Sequence, residues 1–141
     1  MNKKRVLFVC IHNSARSQMA EAFLNLHGGD RYAAESAGIE PGKLNPVVVE
    51  AMREKGIDIS QNRTKSVDEF LERKDIFDFV ITVCDETSAE RCPTFPGQGK
   101  RLHWGFRDPS ALQGSWDEKL VETRVIRDEI ETKIKEWLSG N

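Results

Sequence analysis

The chain is poor in several things, and each shortage excludes something. No apolar run among its 141 residues approaches a membrane span. Neither charge sign prevails: 21 basic residues against 23 acidic ones give a net charge of −2. Such a balance offers no bulk attraction to nucleic acid or to an anionic membrane surface. Cysteine is scarce and odd in number, three in all, and no two are spaced as Cys-x2-Cys. Neither a disulfide scaffold nor a zinc centre is therefore expected. No repeat, low-complexity stretch or linker divides the sequence, so one domain over residues 1–141 with a single core is expected. Met1–Arg5 is basic, but the apolar segment after it is too short for a signal peptide and lacks a cleavage site. A cytoplasmic monomer is the expectation.

What is present is concentrated between Val6 and Leu24. The run Val6-Leu7-Phe8-Val9 ends at Cys10, and Ile11, His12, Asn13, Ser14 and Ala15 separate that thiol from Arg16. Ser17-Gln18-Met19-Ala20 then begins a helical pattern. Strand, tight loop and helix N-terminus in that order form a concave anion site, because backbone N–H groups converge and the helix dipole adds positive charge. Arg16 matches two oxygens of a tetrahedral oxyanion with two parallel donors. Cys10 would lie at the bottom of this bowl, where the same field favours a nucleophilic thiolate. Ser17 is placed to hydrogen-bond the sulfur, and Asn13 tolerates the left-handed backbone that such a loop needs. A cysteine closing a strand is ordinarily a small core residue; the strand-loop-helix context and the serine after the arginine argue for a site instead.

Periodicity and punctuation place the rest. Lys4 to Cys10 reads as strand one and Ala15 to His27 as helix one, stopped by Gly28-Gly29. Arg31 to Ala37 is strand two, and Asn45-Pro46 starts a helix that runs to Lys55. Ser66-Val-Asp-Glu69 reads as a capping box opening a short helix to Arg73. Phe77 to Val83 is strand three, ending at Cys84. Asp85 to Arg91 has helical character, and Cys92 to Gly99 does not. Arg101 to Phe106 is strand four, with His103 expected to be packed inside. Ser115-Trp-Asp-Glu118 caps a long last helix whose Ile126, Ile130, Ile134 and Leu138 form one stripe. Alternating strands and helices predict an α/β fold, a four-stranded parallel sheet with helices on both faces. Ligands of such sheets sit beyond the carboxyl ends of the strands. Cys10, Cys84 and Asp108 all fall there. Asp108, fixed by Pro109 after the last strand, suits a general acid for a departing oxygen, although Asp-Pro also commonly begins a turn.

Cys10-Ile-His-Asn-Ser-Ala-Arg16-Ser17-Gln-Met-Ala, together with Trp104-Gly-Phe-Arg-Asp108-Pro109, resembles the low-molecular-weight protein tyrosine phosphatase superfamily. Within it the chain is most similar to the thioredoxin-coupled arsenate reductases, from Val6 to about Trp137. The resemblance implies a flavodoxin-like fold in which loop residues 11–17 bind arsenate, or phosphate and sulfate as analogues. By that resemblance Cys10 attacks arsenate with Asp108 assisting. Cys84 then attacks Cys10, Cys92 attacks Cys84, and thioredoxin reduces the resulting disulfide. Reducing arsenate takes two electrons, which a thiol pair supplies. A tyrosine phosphatase needs only Cys10, Arg16 and Asp108, and also aromatic walls; here the only tyrosine is Tyr32, and Glu40–Asn45 has no aromatic residue. A phosphatase with redox-sensitive cysteines remains the alternative, and a non-catalytic oxyanion sensor a more distant one. No tightly bound cofactor is expected. Asn13, Glu21 and Ser36 resemble positions where some of these reductases hold potassium, with Ser66 at their fourth, acidic position. Because disulfide-bonded Cα atoms lie within about 7 Å and eight helical residues span about 12 Å, the Asp85–Arg91 segment is expected to loosen on oxidation.

Overall fold

The structure, a computed structural model, describes residues 3–84 and 99–140. The expectations for Asp85–Arg91, for the run from Cys92 to Gln98 and for Cys92 itself lie outside the described residues.

β1 (Lys4–Cys10) is flanked by β2 (Tyr32–Gly38) and β3 (Phe79–Thr82), and β4 (Lys100–His103) completes a parallel sheet of order β2-β1-β3-β4. Val6, Leu7, Phe8 and Val9 are all fully buried. Four consecutive apolar residues in a strand require cover on both faces, and both faces are covered. Val6 and Phe8 pack with residues of α1 (Arg16–Gly28), α2 (Pro46–Arg53) and α4 (Trp116–Ser139). Leu7 and Val9 pack on the other side with Val67 and Phe70 of α3 (Val67–Glu72). This is the four-stranded parallel architecture expected from the sequence. Among the described residues no helix is long and apolar enough to cross a membrane.

Local chemistry accounts for most element ends. Asn45 Oδ1 accepts the N–H groups of Val47 (2.9 Å) and Val48 (3.3 Å), and Pro46 follows at the first helical position. Ser115 and Glu118 form both halves of a capping box, and the Ile126, Ile130, Ile134 and Leu138 stripe of α4 is buried. Gly56 turns the chain after α2 with φ +78°, a left-handed conformation that suits glycine.

Four expectations need correction. Ser66 caps α3 by accepting from Asp68 N–H, but Glu69 is bound by Arg63 at 2.7 and 3.0 Å, so no reciprocal capping box forms. β3 and β4 are shorter than read. The chain leaves β4 after Trp104 N–H bonds Thr82 O, and the Phe106 carbonyl accepts from Arg16 instead of a strand. His103 is exposed on the edge strand, 2.7 Å from Thr82 Oγ1, and is not a packed residue.

A cluster at the end of α2 ties it to α4. Glu54 accepts from Arg124 Nε and Nη2 and from Arg127 Nη1, at 2.6–3.1 Å. The Arg124 bonds, more than those of Arg127, hold its carboxyl at about 2, well below the usual 4.5, although burial pushes the other way. A carboxyl lowered in the folded state stabilises above its unfolded value, and the contribution is lost as pH falls from 4.5 toward 2. Melting temperatures should therefore separate parent from Glu54→Gln at about pH 7 and converge by about pH 2. Equal separation throughout would refute this.

Candidate active site

The loop after β1 is shaped by its neighbours. Cys10 stands beside Gly38 in the sheet register. A Cβ on Gly38 would lie 2.6 Å from Ile11 O and 2.8 Å from Asn13 N, so the loop passes directly over a residue that has no side chain. The carbonyls of Ile11, His12 and Ser14 accept the N–H groups of Glu40, Gly42 and Asn45 at 2.9–3.0 Å. A trans peptide points its N–H away from its C=O, and no described peptide bond is cis. The amides of His12, Asn13 and Ala15 therefore turn away from residues 40–45, toward the inside of the bowl. Asn13 N–H accordingly donates to Cys10 Sγ at 3.2 Å. Asn13 itself has φ +55°, the left-handed conformation anticipated for it.

The helix that follows is left open. Asn45, Ser66 and Ser115 cap α2, α3 and α4, but no side chain caps α1, and its first turn carries no acidic residue. Its terminal N–H groups and partial positive charge are available to an anion.

The groups expected to carry chemistry are gathered around this cup. Cys10 is 3% exposed and its sulfur lies 2.9 Å from Ser17 Oγ. Asn13 Nδ2 donates to the same hydroxyl at 2.7 Å. The Arg16 side chain is 4% exposed; Nη1 donates to Phe106 O at 3.0 Å, and Nη2 lies 3.6 Å from Asp108 Oδ2. Asp108 also accepts Ser110 N–H at 2.9 Å and so starts a 3-10 turn over Pro109–Ala111. The two readings of Asp108-Pro109 thus coexist: the residue begins a turn, and its second oxygen faces the guanidinium. His12 faces outward, its Nδ1 2.8 Å from Glu40 O.

Cys84 is fully buried just past β3. Val9 pairs with Thr82, and Val83 N–H bonds Val9 O at 3.0 Å. Extending that register sets Cys84 one residue beyond the neighbour of Cys10. Cys84 thus lies at the same carboxyl end of the sheet as Cys10.

Behind the loop, Ser36 Oγ donates to Glu21 Oε1 at 2.6 Å. The Lys65 ammonium meets the same oxygen at 3.1 Å. Asn13 Oδ1 is taken by Lys65 N–H (2.8 Å) and Gln18 Nε2 (3.1 Å), and Ser66 Oγ by Asp68 N–H. An ammonium thus already stands against the carboxylate where a potassium ion would bind.

Two residues at the site went unread in the sequence. Gln18, 1% exposed, braces Asn13 from α1 and also donates to Arg63 O at 3.2 Å, while Asn62 donates to its Oε1. Lys65 supplies both the amide on Asn13 and the ammonium on Glu21. A polar glutamine inside the buried run Ser17–Ala20 was the available signal for the first. Lys65 sits in a polar stretch that carries no local motif.

Comparison with known proteins locates this geometry. A family model described as low molecular weight phosphotyrosine protein phosphatase matches residues 5–140. The arsenate reductase of Bacillus licheniformis is 45% identical over 138 residues, 97% of this chain and 96% of the relative. Among solved structures, an arsenate reductase in the phosphate binding state superposes with TM-score 0.76 at 30% identity, covering 97% of this chain and 98% of that one. A thioredoxin-dependent arsenate reductase of Corynebacterium glutamicum has TM-score 0.60 at 30% identity, covering 94% of this chain and 62% of that one.

Proposed function

Since this chain belongs to the low molecular weight phosphotyrosine protein phosphatase family, we propose that it is the family's redox variant, an arsenate reductase regenerated by thioredoxin. The observation that carries the reading is a buried second thiol, Cys84, one register step past the neighbour of Cys10. Ester hydrolysis has no use for it. Near-complete coverage of relatives named arsenate reductase supports the same choice.

The reaction follows from the cup. Inward amides, the open end of α1 and Arg16 hold the oxyanion. Cys10 Sγ bonds to arsenic, and one arsenate oxygen leaves as water with the proton that Asp108 donates. The Cys84 thiolate then attacks Cys10 Sγ. The sulfur–arsenic bond breaks with its electron pair going to arsenic, which departs as arsenite, two electrons richer, leaving a Cys10–Cys84 disulfide. Cys92 attacks Cys84, freeing Cys10, and the dithiol of thioredoxin reduces the Cys84–Cys92 bond. Arg16, anchored on Phe106 O and 3.6 Å from Asp108, keeps the acid and the oxyanion site on one guanidinium.

The competing activity uses the same cup. Cys10, Arg16 and Asp108 suffice for aryl phosphate hydrolysis, and the family's description names phosphatases. Purified protein supplied with thioredoxin, its reductase and NADPH should oxidise NADPH only when arsenate is added, with p-nitrophenyl phosphate turned over far more slowly. Brisk phosphatase activity without arsenate-dependent NADPH oxidation would overturn the proposal.

A further inference from the structure

Glu21 is a carboxylate drawn largely out of water behind the anion loop, and its charge must be balanced. Its side chain and that of Lys65 are each 18% exposed, with the ammonium 3.1 Å from Oε1. Lys65 also reaches the loop through its backbone. Its N–H donates to Asn13 Oδ1, and its C=O accepts from Gly38 N–H, each at 2.8 Å. One residue thus touches the carboxylate behind the loop, the glycine beneath it and the asparagine within it. From Asn13 the contacts continue through Nδ2 to Ser17 Oγ and on to Cys10 Sγ, at 2.7 and 2.9 Å.

We propose that Lys65 is the built-in cation of this site, a positioning residue whose tethered ammonium takes the place that the resemblance gives to a potassium ion. The ammonium neutralises Glu21, and the amide of the same residue holds Asn13 in its left-handed turn. A free cation would have to displace the ammonium or sit beside it against like-charge repulsion. The loop therefore keeps its shape at any potassium concentration. This holds for whichever tetrahedral oxyanion the loop binds, and the test needs no substrate.

The test is thermal melting of the parent, Lys65→Met and the double variant Lys65→Met/Glu21→Gln, in potassium chloride and in tetramethylammonium chloride of equal ionic strength. The parent should melt at the same temperature in both salts. Lys65→Met should lose about 3–6 °C in the tetramethylammonium salt and recover at least half of that, saturably, in potassium. The double variant, which lacks the carboxylate charge, should ignore the cation. A parent stabilised specifically by potassium would overturn the proposal. So would a Lys65→Met variant that melts with the parent, and so would one whose loss potassium does not repair, because that describes an ordinary ion pair. The parent's response is read on the unaltered chain, so the proposal can fail even if a variant does not fold.

Discussion

Cys10→Ser is expected to lower arsenate turnover at least roughly 10⁴-fold while leaving the fold intact. The hydroxyl fits where the thiol lies, beside Ser17 Oγ and Asn13 N–H. A serine oxygen is a poor nucleophile at neutral pH without a neighbouring base, and it cannot enter a disulfide. The relay gives the other two thiols distinct failures. Cys84→Ser should release no arsenite, because the arsenic adduct on Cys10 has no second sulfur to break it. Cys92→Ser should release about one equivalent per enzyme, then stop with a Cys10–Cys84 disulfide, as the electron balance of thiol exchange requires. Single-turnover arsenite measurement with intact-mass analysis separates the three. Full multiple turnover by Cys84→Ser would end the relay.

Asn13→Ala is expected to cost both stability and activity. Asn13 is fully buried at φ +55°. Its side chain receives Lys65 N–H and Gln18 Nε2 and donates to Ser17 Oγ. Alanine would take the acceptor from the Lys65 N–H, at about 1–3 kcal/mol, and would add about 1 kcal/mol for the left-handed backbone. A total near 3 kcal/mol corresponds to a fall of about 9 °C in melting temperature for a domain of this size. Asn13→Gly should lose less, because glycine takes positive φ freely. A drop below about 2 °C for the alanine variant would show that the loop does not lean on this side chain.

The parts legible in the sequence are those whose cause is local. An apolar run reports β1, Asn45-Pro46 reports its own cap, the Ser115 box reports the start of α4, and Cys10 to Ser17 reports a strand-loop-helix junction. The parts that went unread depend on partners outside the local motif, most of them far along the chain. Arg16 binds the carbonyl of Phe106, 90 residues away, and no window around Phe106 contains that fact. Arg63 removes Glu69 from a capping box that its spacing favours. Lys65 and Gln18 acquire roles only once α1, β2 and the segment before α3 are adjacent. Short-range rules describe the frame of the site, and long-range contacts decide how its polar groups are shared.

The glycine beneath the loop carries a consequence for engineering. Because Gly38 and residues 40–45 supply the floor and outer wall of the cup, the stretch from Cys10 to Ser17 is not a transplantable cassette. Grafted onto a strand whose partner bears any side chain, it would lose the clearance that lets it curl. A host scaffold would have to import a bare position on the adjoining strand and a run of donors beyond it. The portable unit is a pair of neighbouring strands, read across the sheet and not along the chain.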